Sequence, residues 1–528
     1  MKSRADLGAL LAGWLLLAIA ALWLRPLWPV DETRYASVAW DMWRRGDFLV
    51  PHLNGAPYSD KPPLLFWLMH LGWAVFGVSE WWPRLLAPLA ALVAVPLTLK
   101  LARLLWPAEH ASHEAALWAL FGTLLFAAFI TLAMFDLLLL DCVLAAMVGV
   151  VQMSHGRPQG IAWLGAGIGL GVLAKGPVIL LHVLPAALLA RWWAPQVRGR
   201  LAGWYLRVLA GVLVGGAIAL AWALPAAHAG GEAYGRAIFW GQTAGRMAES
   251  FAHRAPAWYY LPLLPVLLFP WIAWPTLWRA LRALALEPPV RFLLAWLVLT
   301  LVAFSLVSGK QAKYLVPMLP AFALLAGHAL ARLPAPPRRR DLVLPAAGFV
   351  ALAAVLAWLR LRPDALRLPE WAADLPLWPI VLLALVGPAI VALDAGVRGL
   401  AAAVLATSAI IHAGIAPAIA PFGDTAPLAR RLKALEDDGV PVAYLGKYHA
   451  QYDFTGRLQR PVTVLQPGDL AGWVERNPSG RVLVVDRKPA PEGTAGLLEQ
   501  VASRGAWVQI WRGAALLTGA DLRPATPP

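Results

Sequence analysis

Apolar residues run through this chain in long blocks. They do not follow the two-residue or 3.6-residue alternation of half-buried strands and helices. Blocks near 7–28, 84–106, 114–133, 136–153, 160–174, 176–191, 205–227, 257–278, 291–308, 314–331, 342–360, 375–393 and 397–418 have the apolar character of membrane spans. A helix of roughly 20 residues crosses a hydrocarbon core, so the pattern predicts about 13 transmembrane helices. The first block follows Met1-Lys2-Ser3-Arg4. It is longer than the apolar core of about 7–15 residues found in cleaved signal peptides, so it is expected to persist as the first span.

Three stretches interrupt the blocks. The loop 29–83 is mostly polar but contains PLLFWLMHLGWAVFG at 63–77, too short for a comfortable span and expected to lie on or dip into the membrane surface. The segment 229–256 is polar enough to leave the membrane. From about Pro421 the composition turns charged. ARRLKALEDDG there reads as an amphipathic helix ending at Gly439, PVAYLGKY and RVLVVDR read as strands, and a helix is expected near 494–503 between later strands. The expected fold is an α-helical polytopic membrane protein. A transmembrane domain covers 1–420, including the loop 29–83 and the segment 229–256, and a small α/β domain covers 421–528.

Composition sharpens this picture. The 528 residues are 60% hydrophobic and 14% charged, well below the roughly 25% charged residues of soluble domains. Mean hydropathy is +0.62. A net charge of +15 would raise nucleic acid as a partner in a soluble protein, but no aromatic-basic module accompanies it. Membrane lipid is the expected partner, with arginines holding cytoplasmic loops. Those arginines cluster at 191–207, 279–291 and 332–340. With 13 spans and a cytoplasmic N-terminus all three clusters fall inside, which puts the loop 29–83, the segment 229–256 and the tail outside. The single cysteine, Cys142, excludes an internal disulfide and a cysteine metal cluster.

The same topology leaves Lys61, Lys175, Lys310 and Lys313 at the outer surface, joined by Arg34, Arg236, Arg246 and Arg254. Cations held there run against the positive-inside trend, and an anionic ligand such as a lipid phosphate accounts for them. Snorkelling interfacial anchors are the plain alternative for any one of them. Asp31 and Glu32 follow the first span directly, and Asp136 and Asp141 interrupt an apolar run. An acid at mid-membrane costs at least ~2.5 kcal/mol and usually faces a polar cavity. Five residues place Asp136 and Asp141 about 140° apart around a helix, so they need not share a face. No Gly-rich nucleotide loop is present.

The run DETRYASVAWDMWRRGDFLVPHLNG from Asp31, followed by Tyr58-Ser59-Asp60-Lys61-Pro62-Pro63, resembles the first outer loop of the lipid A aminoarabinose transferases, within the wider group that includes the protein O-mannosyltransferases. Leu140-Asp141, AKGPV at 174–178, AHRAPAWYYLPLL at 252–264 and GKQAKYLVPMLP at 309–320 resemble further family segments in order. The last departs from the commoner Lys-Leu-Pro-Thr-Tyr form. The resemblance covers most of residues 1–330.

The resemblance implies a GT-C fold and inverting transfer of a sugar from a polyprenyl phosphate, undecaprenyl phosphate in bacteria. The acceptor would be a lipid or glycan, with lipid A phosphate the favoured case. The reaction would take place at the periplasmic face of the bacterial inner membrane. Arg34, Lys61, Tyr314 and Lys313 would hold the carrier phosphate. Asp31 would be the catalytic carboxylate and Asp141 a second acid. Glu32, Tyr35, Asp136 and Lys175 would line the substrate cavity. No cofactor is required for this chemistry, yet relatives bind zinc near the matching loop, which would put Asp60 and His253 at a metal. A protein O-glycosyltransferase and a lipid-linked sugar flippase are the competing readings. A flippase usually shows inverted repeats or discontinuous mid-membrane helices, and no repeat is visible here.

Overall fold

A computed structural model describes residues 4–245, 254–333, 337–363, 370–491, 493–503 and 505–517. Among these, seven helices are long and apolar enough to cross a membrane. The pair α5 (His110–Phe121) and α6 (Leu124–Ile130), bent by 66°, makes an eighth candidate, and six shorter apolar helices accompany them. The helices Leu201–Arg236 and Val343–Leu361 expose Leu206, Leu213, Leu224, Leu344 and Leu361. Apolar surface on that scale needs hydrocarbon around it. The chain is a multi-pass membrane protein.

Packing centres on α7 (Asp136–Ser154), which is buried along nearly its whole length. It lies against α4 (Trp81–Leu105) and α8 (Gly160–Lys175). Glycines bring α7 and α8 together: a Cβ on Gly149 would sit 2.4 Å from the Leu164 nitrogen, and one on Gly167 would sit 2.5 Å from the Ala146 nitrogen. Small residues at such contacts are how membrane helices approach closely without a hydrophobic driving force.

The expected span 257–278 is not continuous. It is cut into Ala257–Tyr260, Leu264–Leu267, Trp271–Ala273 and Pro275–Arg282. Pro262, Pro265, Pro270 and Pro275 explain the breaks, because each removes a helix donor and clashes one turn back.

The loop after α1 (Arg4–Trp23) carries α2 (Asp31–Arg45) and α3 (Leu64–Phe76). In α2, Asp31 and Glu32 occupy the first turn and Arg44 and Arg45 the last, matching the helix dipole, and Gly46 closes the helix in the left-handed conformation. Between α2 and α3 a hairpin of β1 (His52–Leu53) and β2 (Ala56–Pro57) turns at Asn54-Gly55, both with positive φ.

The tail begins with the helix Ala426–Asp437 and builds a five-stranded sheet from β3 (Val442–Leu445), β4 (Thr463–Leu465), β5 (Arg481–Asp486), β6 (Leu497–Ser503) and β7 (Ala506–Arg512). The order is β4-β3-β5-β7-β6, with the first three strands parallel and the last two antiparallel. The helix expected near 494–503 is strand β6 instead. Pairing with β7 over Leu497–Ser503 overrides the helical propensity of LLEQVA.

Candidate active site

Four segments meet at the end of the bundle where α2 begins. These are the first turn of α2, the turn Asp60-Lys61-Pro62-Pro63, the α6–α7 connection ending at Asp136, and the 3₁₀ segment Ala312–Met318. The C-terminus of α8 adds Lys175.

Asp31 is the hub. Its carboxylate takes Arg34 Nη2 at 2.5 Å, as successive turns of α2 allow, and Lys313 Nζ at 3.0 Å from the far segment. Burial works against its charge, but Lys313, Arg34 and Lys61 together outweigh burial and hold the carboxyl below its usual range. The group is not sealed off: the side chains of Asp31, Arg34 and Lys313 are 35%, 19% and 21% exposed.

A second pair lies deeper. Asp136, at the first position of α7, is salt-bridged to Lys175, with side chains 1% and 10% exposed. The Lys175 ammonium is 5.3 Å from the centre of the Tyr314 ring, which joins the pair to the segment carrying Lys313. Tyr35 lies buried beneath, edge-on to Phe135 at 4.8 Å and 5.5 Å from the Arg34 guanidinium.

The structure therefore gathers Asp31, Arg34, Lys61, Lys313, Tyr314, Tyr35, Asp136 and Lys175. It sends others elsewhere. Glu32 turns inward and is consumed by a buried bridge to Arg25 at 2.5 and 2.8 Å. Asp141 lies farther along α7 from the Asp136 end, buried, and its Oδ1 has no hydrogen-bond partner among the described residues. Asp136, not Asp141, is the α7 acid joined to a site cation. Lys310 is buried, capping the carbonyls of Ala255 and Val307 at 2.8 and 2.6 Å. Arg246 and His253 lie outside the described residues. Among the described residues no group of three or more His, Cys, Asp or Glu is placed to hold a metal ion. The sequence pattern does not single out Arg25 or Arg84. Their signal is position alone: each is an arginine at the loop-side end of an apolar block.

A family model for dolichyl-phosphate-mannose-protein mannosyltransferase matches residues 60–224. The undecaprenyl phosphate-α-4-amino-4-deoxy-L-arabinose arabinosyl transferase of Pseudomonas aeruginosa PAO1 is 37% identical over 365 residues, 66% of this chain and 65% of that protein. Its counterpart in Pseudomonas paraeruginosa PA7 is 37% identical over 329 residues, 60% of this chain and 59% of that one. The chain thus spans 59% to 65% of the length of these relatives, less than two thirds. The crystal structure of ArnT from Cupriavidus metallidurans bound to undecaprenyl phosphate superposes with a TM-score of 0.74 at 21% identity, over 98% of this chain and 100% of that one. The apo form gives 0.76 at 20% identity, over 99% and 100%. The chain is a GT-C membrane protein that resembles the aminoarabinose transferase family. The fold match runs through the tail domain as well as the helical bundle, whereas the family-model match covers only the stretch from the Lys61 turn into the helix Leu201–Arg236.

Proposed function

We propose that this chain is an inverting, polyprenyl-phosphate-dependent pentosyltransferase. It moves 4-amino-4-deoxy-L-arabinose from undecaprenyl phosphate to a phosphate of lipid A at the periplasmic face of the bacterial inner membrane. One observation carries the reading: Arg34, Lys61 and Lys313 converge on Asp31 beside the Asp136–Lys175 pair. The likeness to the Pseudomonas transferases supports the choice of donor and sugar. The side of the membrane is supported by charge. Arg279, Arg291, Arg332 and Arg339 are tied into the end of the bundle opposite Asp31, where positive-inside bias expects the cytoplasm.

The chemistry follows from the geometry. Breaking the glycosidic bond leaves charge on the carrier phosphate, and fixed cations in a water-poor site stabilise that charge. Arg34 offers a planar fork for two phosphate oxygens, while Lys61 and Lys313 act as point charges. Asp31 occupies the same cations that a phosphate would use. A bound carrier phosphate competes for Arg34 and Lys313 and turns Asp31 toward the sugar. A lipid A phosphate is already an anion and needs no general base, so Asp31 orients the sugar through its amine or hydroxyls. Attack from the opposite face of the anomeric carbon inverts it in one displacement.

The test is purified protein in lipid with aminoarabinosyl undecaprenyl phosphate and lipid A, with products read by mass spectrometry. Asp31→Asn, Arg34→Ala and Lys61→Ala should each nearly abolish transfer in protein that remains folded. Normal turnover in all three would remove the site. Transfer to a protein hydroxyl, or movement of intact lipid across the bilayer, would replace the reading.

A further inference from the structure

The site proposed above for the transfer holds both Asp31 and Asp136. They open different elements, α2 and α7. A buried ion pair beside them joins those elements. Arg25 and Glu32 are 4% and 2% exposed. Two guanidinium nitrogens of Arg25 donate to the two carboxylate oxygens of Glu32, at 2.5 and 2.8 Å.

Each partner also reaches the backbone. Glu32 accepts the N–H of Trp28 at 2.8 Å and the N–H of Ala133 at 2.5 Å. Arg25 donates to the carbonyl of Thr131. Arg84 of α4 donates to the carbonyls of Arg25 at 3.0 Å and Leu22 at 3.2 Å, and the Thr131 hydroxyl meets His412 Nε2 at 3.2 Å. The end of α1, the start of α2 and the α6–α7 connection are thus tied to one carboxylate. Asp31 is the residue before Glu32, and Asp136 stands three residues after Ala133.

Stability alone gives a weak reason for such a pair. Apolar residues of similar volume usually replace a buried ion pair at no cost, because desolvation offsets the attraction. What apolar residues cannot do is fix direction. A forked bridge whose carboxylate takes four donors holds three backbone segments in one mutual arrangement. We propose that Glu32 and Arg25 are positioning residues that set the separation of Asp31 and Asp136, and with it the geometry in which the sugar is held. This inference rests on the sugar-transfer reading.

Glu32→Gln keeps the shape and one acceptor oxygen. Arg25→Lys keeps the charge but loses the fork. Two measurements read each variant. In steady-state transfer from aminoarabinosyl undecaprenyl phosphate, kcat should fall about 10²-fold, the scale of a small misplacement of reacting groups, with KM for the donor unchanged. In hydrogen exchange followed by mass spectrometry, peptides covering 28–36 and 130–137 should gain exchange together while the tail domain does not. Wild-type kcat in Glu32→Gln overturns the proposal. So does a gain of exchange in only one of the two segments, or an equal gain throughout the chain. Should Glu32→Gln fail to fold, Arg25→Lys carries the same pair of measurements. If the unaltered protein transfers no sugar, the functional reading fails, and the exchange measurement still decides whether the pair couples the two segments.

Discussion

Asp136 and Lys175 show what a single buried charge does when its partner is removed. With side chains 1% and 10% exposed, each is the other's counter-ion. Cutting one member of such a pair is typically worth about 3–5 kcal/mol, because the survivor stays charged in a poor solvent, whereas replacing both is often neutral. Asp136→Asn should therefore lower the thermal unfolding midpoint in detergent more than Asp136→Asn/Lys175→Met does. Neither variant should transfer sugar. A double variant less stable than the single would show that the pair is not compensating. The same scale shows what the sequence makes legible. Asp31, Arg34 and Lys61 stand out because polar residues between apolar blocks have few reasons to be there. Glu32 does not sort itself from Asp31, because neighbours on a helix differ by about 100° and only packing decides which one faces Arg34 and Lys313. Asp141 and Asp136 have the same ambiguity, and only the position of Lys175 resolves it. Arg25 is hidden for another reason: at the end of an apolar block it looks like an interfacial anchor, and its bond to the Thr131 carbonyl in the α6–α7 connection is invisible to any local pattern.

At the scale of elements, α7 and α8 form an antiparallel pair whose adjoining ends hold Asp136 and Lys175. Their spacing is set by Gly149, Gly160 and Gly167, where any Cβ would meet the facing helix closer than 3 Å. Gly149→Ala and Gly167→Ala force α8 outward. Overpacking of this kind costs typically about 1–3 kcal/mol. Because α8 carries Lys175 to Asp136, transfer should fall along with the unfolding midpoint in both variants. Gly156→Ala, at the α7–α8 turn where a Cβ would meet nothing within 4 Å but φ is +76°, separates backbone strain from helix spacing: it should cost stability without a matching loss of transfer. Helix existence was readable here from apolar blocks alone, and Asp136–Ser154 and Gly160–Lys175 fall within a residue or two of the expected spans. The failures have local causes. Hydropathy takes little account of helix breaking by proline, so 257–278 scores as one continuous helix although its four prolines cut it into pieces. Strand β6 depends on β7, which a local window does not weigh.

Across the whole molecule, the tail bears on the site through the loop it packs against. Residues 450–462 dock on the loop that carries Asp31. Ser37 Oγ donates to the Ala450 carbonyl at 2.7 Å and accepts the Phe454 N–H at 3.1 Å, Trp40 donates to the Leu458 carbonyl at 2.9 Å, and Phe454 stacks on Trp73 at 5.3 Å. Asn54, in the hairpin turn, exchanges two hydrogen bonds with the backbone of Val462. At the centre of this contact Asp453 is buried, and burial pushes its carboxyl from 3.8 up to about 7. The Tyr448 hydroxyl donates to it and lowers the value, nearby Asp41 and Glu436 raise it, and Arg44 opposes them. The folded protein therefore binds this proton more tightly than the unfolded chain does. Its contribution to stability is fully present below about pH 4 and is lost as pH rises through about 7. The docked tail should accordingly loosen from α2 between pH 5 and pH 8 in a way that depends on Asp453. Asp453→Asn keeps an oxygen to accept from Tyr448 and carries no charge at either pH. In this variant the unfolding midpoint should lose most of the decline seen in the wild-type protein across that interval, and the variant should be the more stable of the two at pH 8. Parallel pH profiles for the two proteins would mean that the carboxyl ionises without cost, and that the contact between tail and loop is not where the molecule senses pH.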